Sequence, residues 1–154
     1  MTIDRSPMII GSDHAAFGLK ETIRAYVAAK GITIEDAGTF SRDSSDYPDF
    51  AIKVALRVSR GEYTRGILMC GTGIGMSMVA NKFPHVRAAL CNDLFAAKMS
   101  RRHNDANILV MGGRVVGEAL ACEIVDTWLA EPFEGGRHQQ RIDKFDGLST
   151  IELP

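Results

Sequence analysis

The stretch Gly66-Ile67-Leu68-Met69-Cys70-Gly71-Thr72-Gly73-Ile74-Gly75-Met76-Ser77 governs the reading of the chain. A short apolar run enters a thiol, a tight glycine-rich turn follows, and Met76–Lys82 then reads as a helix. A strand ending in such a turn sets one nucleophilic or basic atom beside a row of backbone N–H groups. Those are the two parts needed to move a proton and hold the oxyanion that results. A small parallel α/β domain would put both at one rim of its sheet.

Outward from this stretch, strands and helices alternate. Met8–Ser12, Thr33–Ala37, Gly66–Met69, Val86–Leu90 and Asn107–Met111 read as five strands. Gly18–Lys30 carries Leu19, Ile23, Tyr26 and Val27 at helical spacing, with Gly31 placed as a stop. Asp49–Arg60, Asp93–Arg102 (capped by Asp93) and Gly117–Leu129 complete the larger helices, and a short one is expected around Arg137–Lys144. Gly38–Pro48 is polar and turn-rich and reads as a functional loop. This alternation implies α/β architecture: a parallel sheet with right-handed crossovers and helices on both faces. Ligands then bind outside the carboxyl ends of the strands. The candidate positions are Asp13-His14, Cys70-Gly71-Thr72, Cys91-Asn92-Asp93 and Gly112-Gly113-Arg114.

The chain has 154 residues, 45% of them hydrophobic and 24% charged, which suits one domain over residues 1–154 with a substantial core. A net charge of −1 gives no global attraction to nucleic acid or to a membrane surface, so any affinity for an anion must be local. No apolar run approaches the ~18 residues of a membrane span, and the first residues have no signal-peptide core. Three cysteines without paired spacing argue against a disulfide framework and for the reducing cytoplasm. C-x-x-C and H-E-x-x-H are absent, so no dedicated metal site is expected.

The obvious glycine motifs fail in detail. A dinucleotide fingerprint starting at Gly71 needs glycine where Met76 stands. A P-loop needs Gly-Lys-Ser/Thr, and a Cys-x5-Arg phosphatase loop needs arginine at the same Met76. What remains is a loop able to cradle a smaller anion, or a tight turn without a ligand. Cys70 is a small buried hydrophobe or, ahead of a helix N-terminus, a thiol in the setting where a thiolate becomes a usable base. Cys91 and Cys122 read as core. Arg137 and Arg141, four apart, put two guanidinium groups on one helix face, suited to a phosphate or simply to solvent. His14 and His103 are proton shuttles or hydrogen-bonded loop histidines. His85 and His138 read as structural or surface residues.

The ordered set of segments resembles the ribose-5-phosphate isomerase type B family, which also holds galactose- and allose-phosphate isomerases. The matching pieces are Ser12-Asp13-His14, Gly18-Leu19-Lys20, Asp46-Tyr47-Pro48, Gly66 through Gly75, Ala80-Asn81-Lys82, Arg102-His103-Asn104-Asp105, Gly113 through Gly117 and Glu134 through Arg141. The resemblance implies a Rossmann-like α/β/α sandwich with a five-stranded parallel sheet in the order 2-1-3-5-4. It also implies interconversion of ribose 5-phosphate and ribulose 5-phosphate in the pentose phosphate pathway, through an enediolate and without cofactor or metal.

Under that resemblance Cys70 is the base, while Thr72 and the N–H groups of Gly71, Gly73 and Gly75 hold the enediolate. His103, helped by Asp13, opens the sugar ring. Tyr47 and Asn104 contact hydroxyls, and His14, Arg114, Arg137 and Arg141 bind phosphate. The family shares its site between two subunits, His103 and Asn104 crossing the interface, so a homodimer or a dimer of dimers is implied. Some members carry a carboxylate base instead, but Gly75-Met76-Ser77 stands where it is looked for, so the thiol mechanism is implied here. The galactose-phosphate relatives use two unlike chains; one chain here carries the whole set. Rival readings are an isomerase of a six-carbon sugar phosphate, a non-catalytic phosphosugar-binding module and a nucleotide-binding flavodoxin-like domain. Thr2–Pro7 and Leu148–Pro154 lie outside the resemblance and receive no role.

Overall fold

The computed structural model of the protein describes residues 4–148. Five parallel strands, β1 (Met8–Ser12), β2 (Ile34–Asp36), β3 (Arg65–Cys70), β4 (Ala88–Leu90) and β5 (Ile108–Gly112), pair in the order β2-β1-β3-β5-β4. The helices are α1 (Phe17–Ala29), α2 (Tyr47–Ser59), α3 (Ile74–Ala80), α4 (Leu94–Arg102), α5 (Glu118–Ala130) and α6 (Arg137–Asp146). A short 3₁₀ turn, His14–Ala16, leads from β1 into α1.

The three central strands are apolar along nearly their whole length because both sides of each are covered. Side chains alternate across the sheet with period two. Met8, Ile10, Ile67, Met69, Leu109 and Met111 join a core with α1, α4 and α5, centred on the fully buried Trp128. Ile9, Leu68, Cys70, Ile108 and Val110 join a second core with Val54 and Val58 of α2 and Met76 and Ala80 of α3. The α/β class and the strand order match the expectation.

Several boundaries differ from it. The edge strands β2 and β4 are three residues each, shorter than read, since each has a neighbour on one side only. β3 continues through Cys70. Helix α3 begins at Ile74 rather than Met76. Helix α2 begins at Tyr47, because Pro48 lies in its first turn, where its fixed φ is pre-set for a helix and its missing N–H costs nothing. Tyr47 is therefore a helix-terminal residue and not a loop residue. Asp93 caps α4 as read, its carboxylate accepting from Ala96 N–H at 2.7 Å.

The chain turns back at the β1–β3 pair. From β1 it steps outward to β2, and from β3 it moves the other way. That switch point opens a crevice at the carboxyl ends of β1 and β3. The loop that runs from β2 towards this crevice starts at a buried charge. Lys20 on α1 is fully buried and pairs with Asp36 at 2.5 Å and Glu21 at 2.9 Å. The other Asp36 oxygen accepts from Gly38 N–H at 2.9 Å, where the chain leaves β2 for the long loop towards Tyr47. Leaving a buried charge without its partner costs about 3–5 kcal/mol, more than replacing it with an apolar chain of like size. Asp36→Ala should therefore lower the unfolding free energy by about 3 kcal/mol, and Lys20→Met by clearly less, as read from urea denaturation followed by circular dichroism.

Candidate active site

At the switch point a cavity of about 460 Å³ is lined by Asp13, His14, Tyr47, Cys70, Gly71, Thr72, Gly75 and Arg114, with Ile74 and Met78 at its rim. Cys70 ends β3, where register brings it level with Gly112 of β5. Its Sγ accepts from Gly73 N–H at 3.2 Å. Gly73 lies at φ 80°, and a β-carbon there would come within 2.5 Å of Leu90 and 3.0 Å of the Met111 carbonyl. Only glycine allows both the left-handed turn and the close approach that set this N–H on the sulfur. The Ile74 N–H is satisfied inside the loop as well, donating to Thr72 Oγ1 at 3.3 Å. That leaves the exposed Thr72 hydroxyl proton free to donate into the cavity. Arg114 reaches over Gly71, with its Cδ 3.6 Å from where a β-carbon would sit.

Asp13 is buried and caps the 3₁₀ turn, accepting from Ala15 N–H at 3.0 Å. His14 is clasped by the loop ahead of α2. Its backbone N–H donates to Ser45 Oγ at 3.1 Å, and its Nδ1 lies 3.1 Å from Ser45 N and 3.2 Å from Ser45 O. A neutral ring accepting at Nδ1 carries its proton on Nε2, and so does a charged ring donating to Ser45 O. In either of these states Nε2–H is a donor that the Ser45 clasp does not use, suited to an anion, whereas a neutral ring donating from Nδ1 to Ser45 O presents Nε2 as an acceptor. The Tyr47 ring packs on Gly75, where an added β-carbon would meet it at 2.5 Å. Gly75→Ala should displace Tyr47 from the cavity wall.

His103, Asn104, Arg137 and Arg141 do not line this cavity. His103 follows the last turn of α4, its N–H donating to Met99 O at 2.9 Å. Its ring stacks on His138 of α6, with centroids 4.2 Å apart and planes within 8°. Both Nε2 atoms face one oxygen of Glu134, at 3.8 Å and 3.4 Å. The same carboxylate accepts from Arg102, which holds it below the usual glutamate range. Burial, with the nearby His103 and Arg137, lowers the His138 pKa. Arg137 and Arg141 are exposed and join no ion pair among the described residues. Asn104 borders a different cavity of about 580 Å³, with Lys82, Phe83 and Phe145.

His103, Glu134 and His138 bring potential metal-ligand atoms within 4.8 Å of one another. Two imidazoles lying face to face direct their in-plane lone pairs side by side, not towards one point. The arrangement suits a hydrogen-bonded stack better than a coordination site. Sequence reasoning assigned no function to Ser45 and left His138 as a structural or surface residue. The i, i+4 spacing of Glu134 and His138 was the available signal for the second.

The other thiols are not at this site. Cys91 is buried among α4 and α5 residues, and burial pushes it up to about 11, while Cys122 is raised for the same reason. Native protein treated with iodoacetamide near pH ~8 should leave Cys91 unlabelled in peptide mass spectra, and unfolding in urea should expose it. His138 makes a separate prediction. Its pKa is lower folded than unfolded, so the unfolded chain binds more protons as pH drops below ~6.5, and stability falls with acidification there. His138→Gln should flatten that part of the stability–pH curve, measured as urea midpoints.

A family model described as ribose/galactose isomerase matches residues 8–145. Ribose-5-phosphate isomerase B of Escherichia coli is 50% identical over 138 residues, covering 90% of this chain and 93% of that protein. The solved Clostridium thermocellum ribose-5-phosphate isomerase B superposes with a TM-score of 0.92 at 50% identity, covering 94% of this chain and 97% of its own. The Mycoplasma genitalium enzyme of the same name, solved with bound ribulose-5-phosphate, gives 0.91 at 39% identity, covering 95% and 97%.

Proposed function

The chain belongs to the ribose/galactose isomerase family, and we propose that it interconverts ribose 5-phosphate and ribulose 5-phosphate as an aldose–ketose isomerase. The observation that carries this reading is Cys70 at the carboxyl end of β3, lining one cavity with Asp13, Thr72, His14 and Arg114. The ribulose-5-phosphate bound to the Mycoplasma genitalium relative supports the substrate class.

In this reading the open-chain aldose lies with C1 and C2 over Cys70. The Cys70 thiolate takes the C2 proton, and the electron pair moves through C1 to leave O1 as an oxyanion. Thr72 Oγ1–H and the free N–H groups of the 71–75 loop hold that charge in the cavity. Losing one such donor typically costs ~2.7–4 kcal/mol of transition-state stabilisation. A proton passes from O2 to O1, and Cys70 returns its proton to C1, giving the ketose. One base serves two adjacent carbons, so the step asks for no metal or redox partner. His14, Arg114, Arg137 and Arg141 hold the phosphate, supplying binding energy away from the reacting carbons. Tyr47 and Asn104 contact the hydroxyls.

His103 opens the furanose ring: the C1–O4 bond breaks, O4 leaves with a proton from His103, and the O1 proton passes to Asp13. Because His103, Asn104, Arg137 and Arg141 stand apart from the Cys70 cavity within one chain, we infer that a second copy brings them to it. Ile74, Met78, Leu94, Phe95 and Val115 are exposed apolar side chains that such a partner would cover. We place the homodimer in the reducing cytoplasm, acting on free pentose phosphates.

Two measurements test this. Wild-type protein in EDTA should turn over ribose 5-phosphate faster than allose 6-phosphate, and Cys70→Ala should lose activity by at least ~10³-fold. Preference for the hexose would instead assign the chain to the six-carbon branch. Second, Cys70→Ala and His103→Ala variants, each inactive, should regain about a quarter of wild-type activity when unfolded together and refolded at equal amounts. Half of the random dimers are mixed, and each mixed dimer has one intact site out of two. No recovery would mean that the site does not cross subunits.

A further inference from the structure

His103 is half-exposed at the end of α4, and its imidazole makes no close hydrogen bond among the described residues. Left alone, such a side chain would sample several rotamers, which suits a proton donor poorly: a general acid works only along one line to its acceptor. The structure supplies what restrains it. His138 is buried, and its ring lies flat on that of His103. Glu134 faces His138 Nε2 at 3.4 Å while Arg102 holds the same carboxylate. The Glu134 N–H donates to Arg102 O at 3.0 Å, tying the segment ahead of α6 to the last turn of α4. The stack therefore joins two helices through a fixed backbone bridge.

We propose that His138 is the positioning residue of the ring-opening step, its ring a shelf that fixes the plane of His103, with Glu134 anchoring the shelf. This rests on the isomerase reading above. Direct phosphate binding by His138 fits less well, because its Nε2 is buried against the Glu134 carboxylate, which would repel a phosphate. The flanking Arg137 and Arg141 lie near the His138 ring and disfavour its protonation.

Ring opening separates from proton transfer at carbon in a Cys70→Ala background. That variant cannot isomerise, yet it should still open the furanose and release aldehyde, which recloses to either anomer. Exchange between the anomers of ribose 5-phosphate, followed by exchange NMR, reports the ring-opening step without the isomerisation. Adding His138→Ala should slow enzyme-driven exchange roughly tenfold, a part of the ~10²–10⁴-fold that an aligned general acid provides. In the Cys70 protein the same change should lower kcat by a similar factor with KM nearly unchanged. His138→Phe keeps a flat face and should restore most of both. Glu134→Gln, a near-isosteric change at a partly exposed side chain, carries the test should His138→Ala not fold, with a smaller loss of roughly threefold.

Unaltered anomer exchange and kcat in the folded His138→Ala and Glu134→Gln variants would overturn the role of His138 and leave the isomerase reading standing. A loss confined to KM would overturn it too, by making His138 a ligand. Failure of the wild type to isomerise any sugar phosphate would overturn both readings.

Discussion

The parallel pairing of β1 with β3 is the constraint on which the remaining structure depends. Met8 through Ser12 lie beside Arg65 through Met69, and both strands are covered on both faces. Their pairing fixes where each strand ends, so Asp13 and Cys70 emerge side by side at the one place where the connections part in opposite directions. Backbone geometry continues the pairing into the site. Asp13 N–H donates to Met69 O, and Gly113 N–H donates to Cys70 O. A one-residue slip of β3 would turn Cys70 from the α2–α3 side to the opposite core.

Glycines make the next set of constraints, through contact more than through flexibility. Gly73 lets a backbone N–H fold back onto the Cys70 sulfur, and Gly75 lets Tyr47 lie against the start of α3. At Gly112 an added β-carbon would sit 2.7 Å from Thr72 O, so the end of β5 also presses on the loop. One backbone N–H thus holds the thiol, and the loop that carries it is pressed between Tyr47 and the end of β5. Rigid placement of this kind is what electrostatic stabilisation of an oxyanion requires, since donors that must reorganise lose most of their effect.

The charges follow a similar division. The protein is nearly neutral overall, and half of its basic side chains pair with carboxylates among the described residues, as Lys20 does with Asp36, Arg101 with Asp105 and Arg102 with Glu134. Arg114, Arg137 and Arg141 have no such partner among the described residues. Unanswered guanidinium groups at the cavity wall and on α6 form a local positive field that net charge does not disclose.

The sequence by itself determined the α/β class, the five strands and the approximate span of each helix, because alternating apolar runs and glycine stops are local signals. It also marked Cys70, Thr72 and Asp13, since strand ends in a parallel sheet must converge at one rim. The limits of β2, α2 and α3 were less legible, for an edge strand's length depends on its partner and a helix start on one proline's placement. Only the tertiary structure decided that His14 is clasped by Ser45, that Tyr47 rests on Gly75 and that His103 stacks on His138. Those contacts join residues 28 to 35 positions apart, and no local pattern records them. It also decided that His103, Asn104, Arg137 and Arg141 stand away from Cys70 within the chain. The physical reason is the same in each case: periodicity reports which face of an element is buried, while the neighbour it meets is set by how the whole sheet and its helices pack.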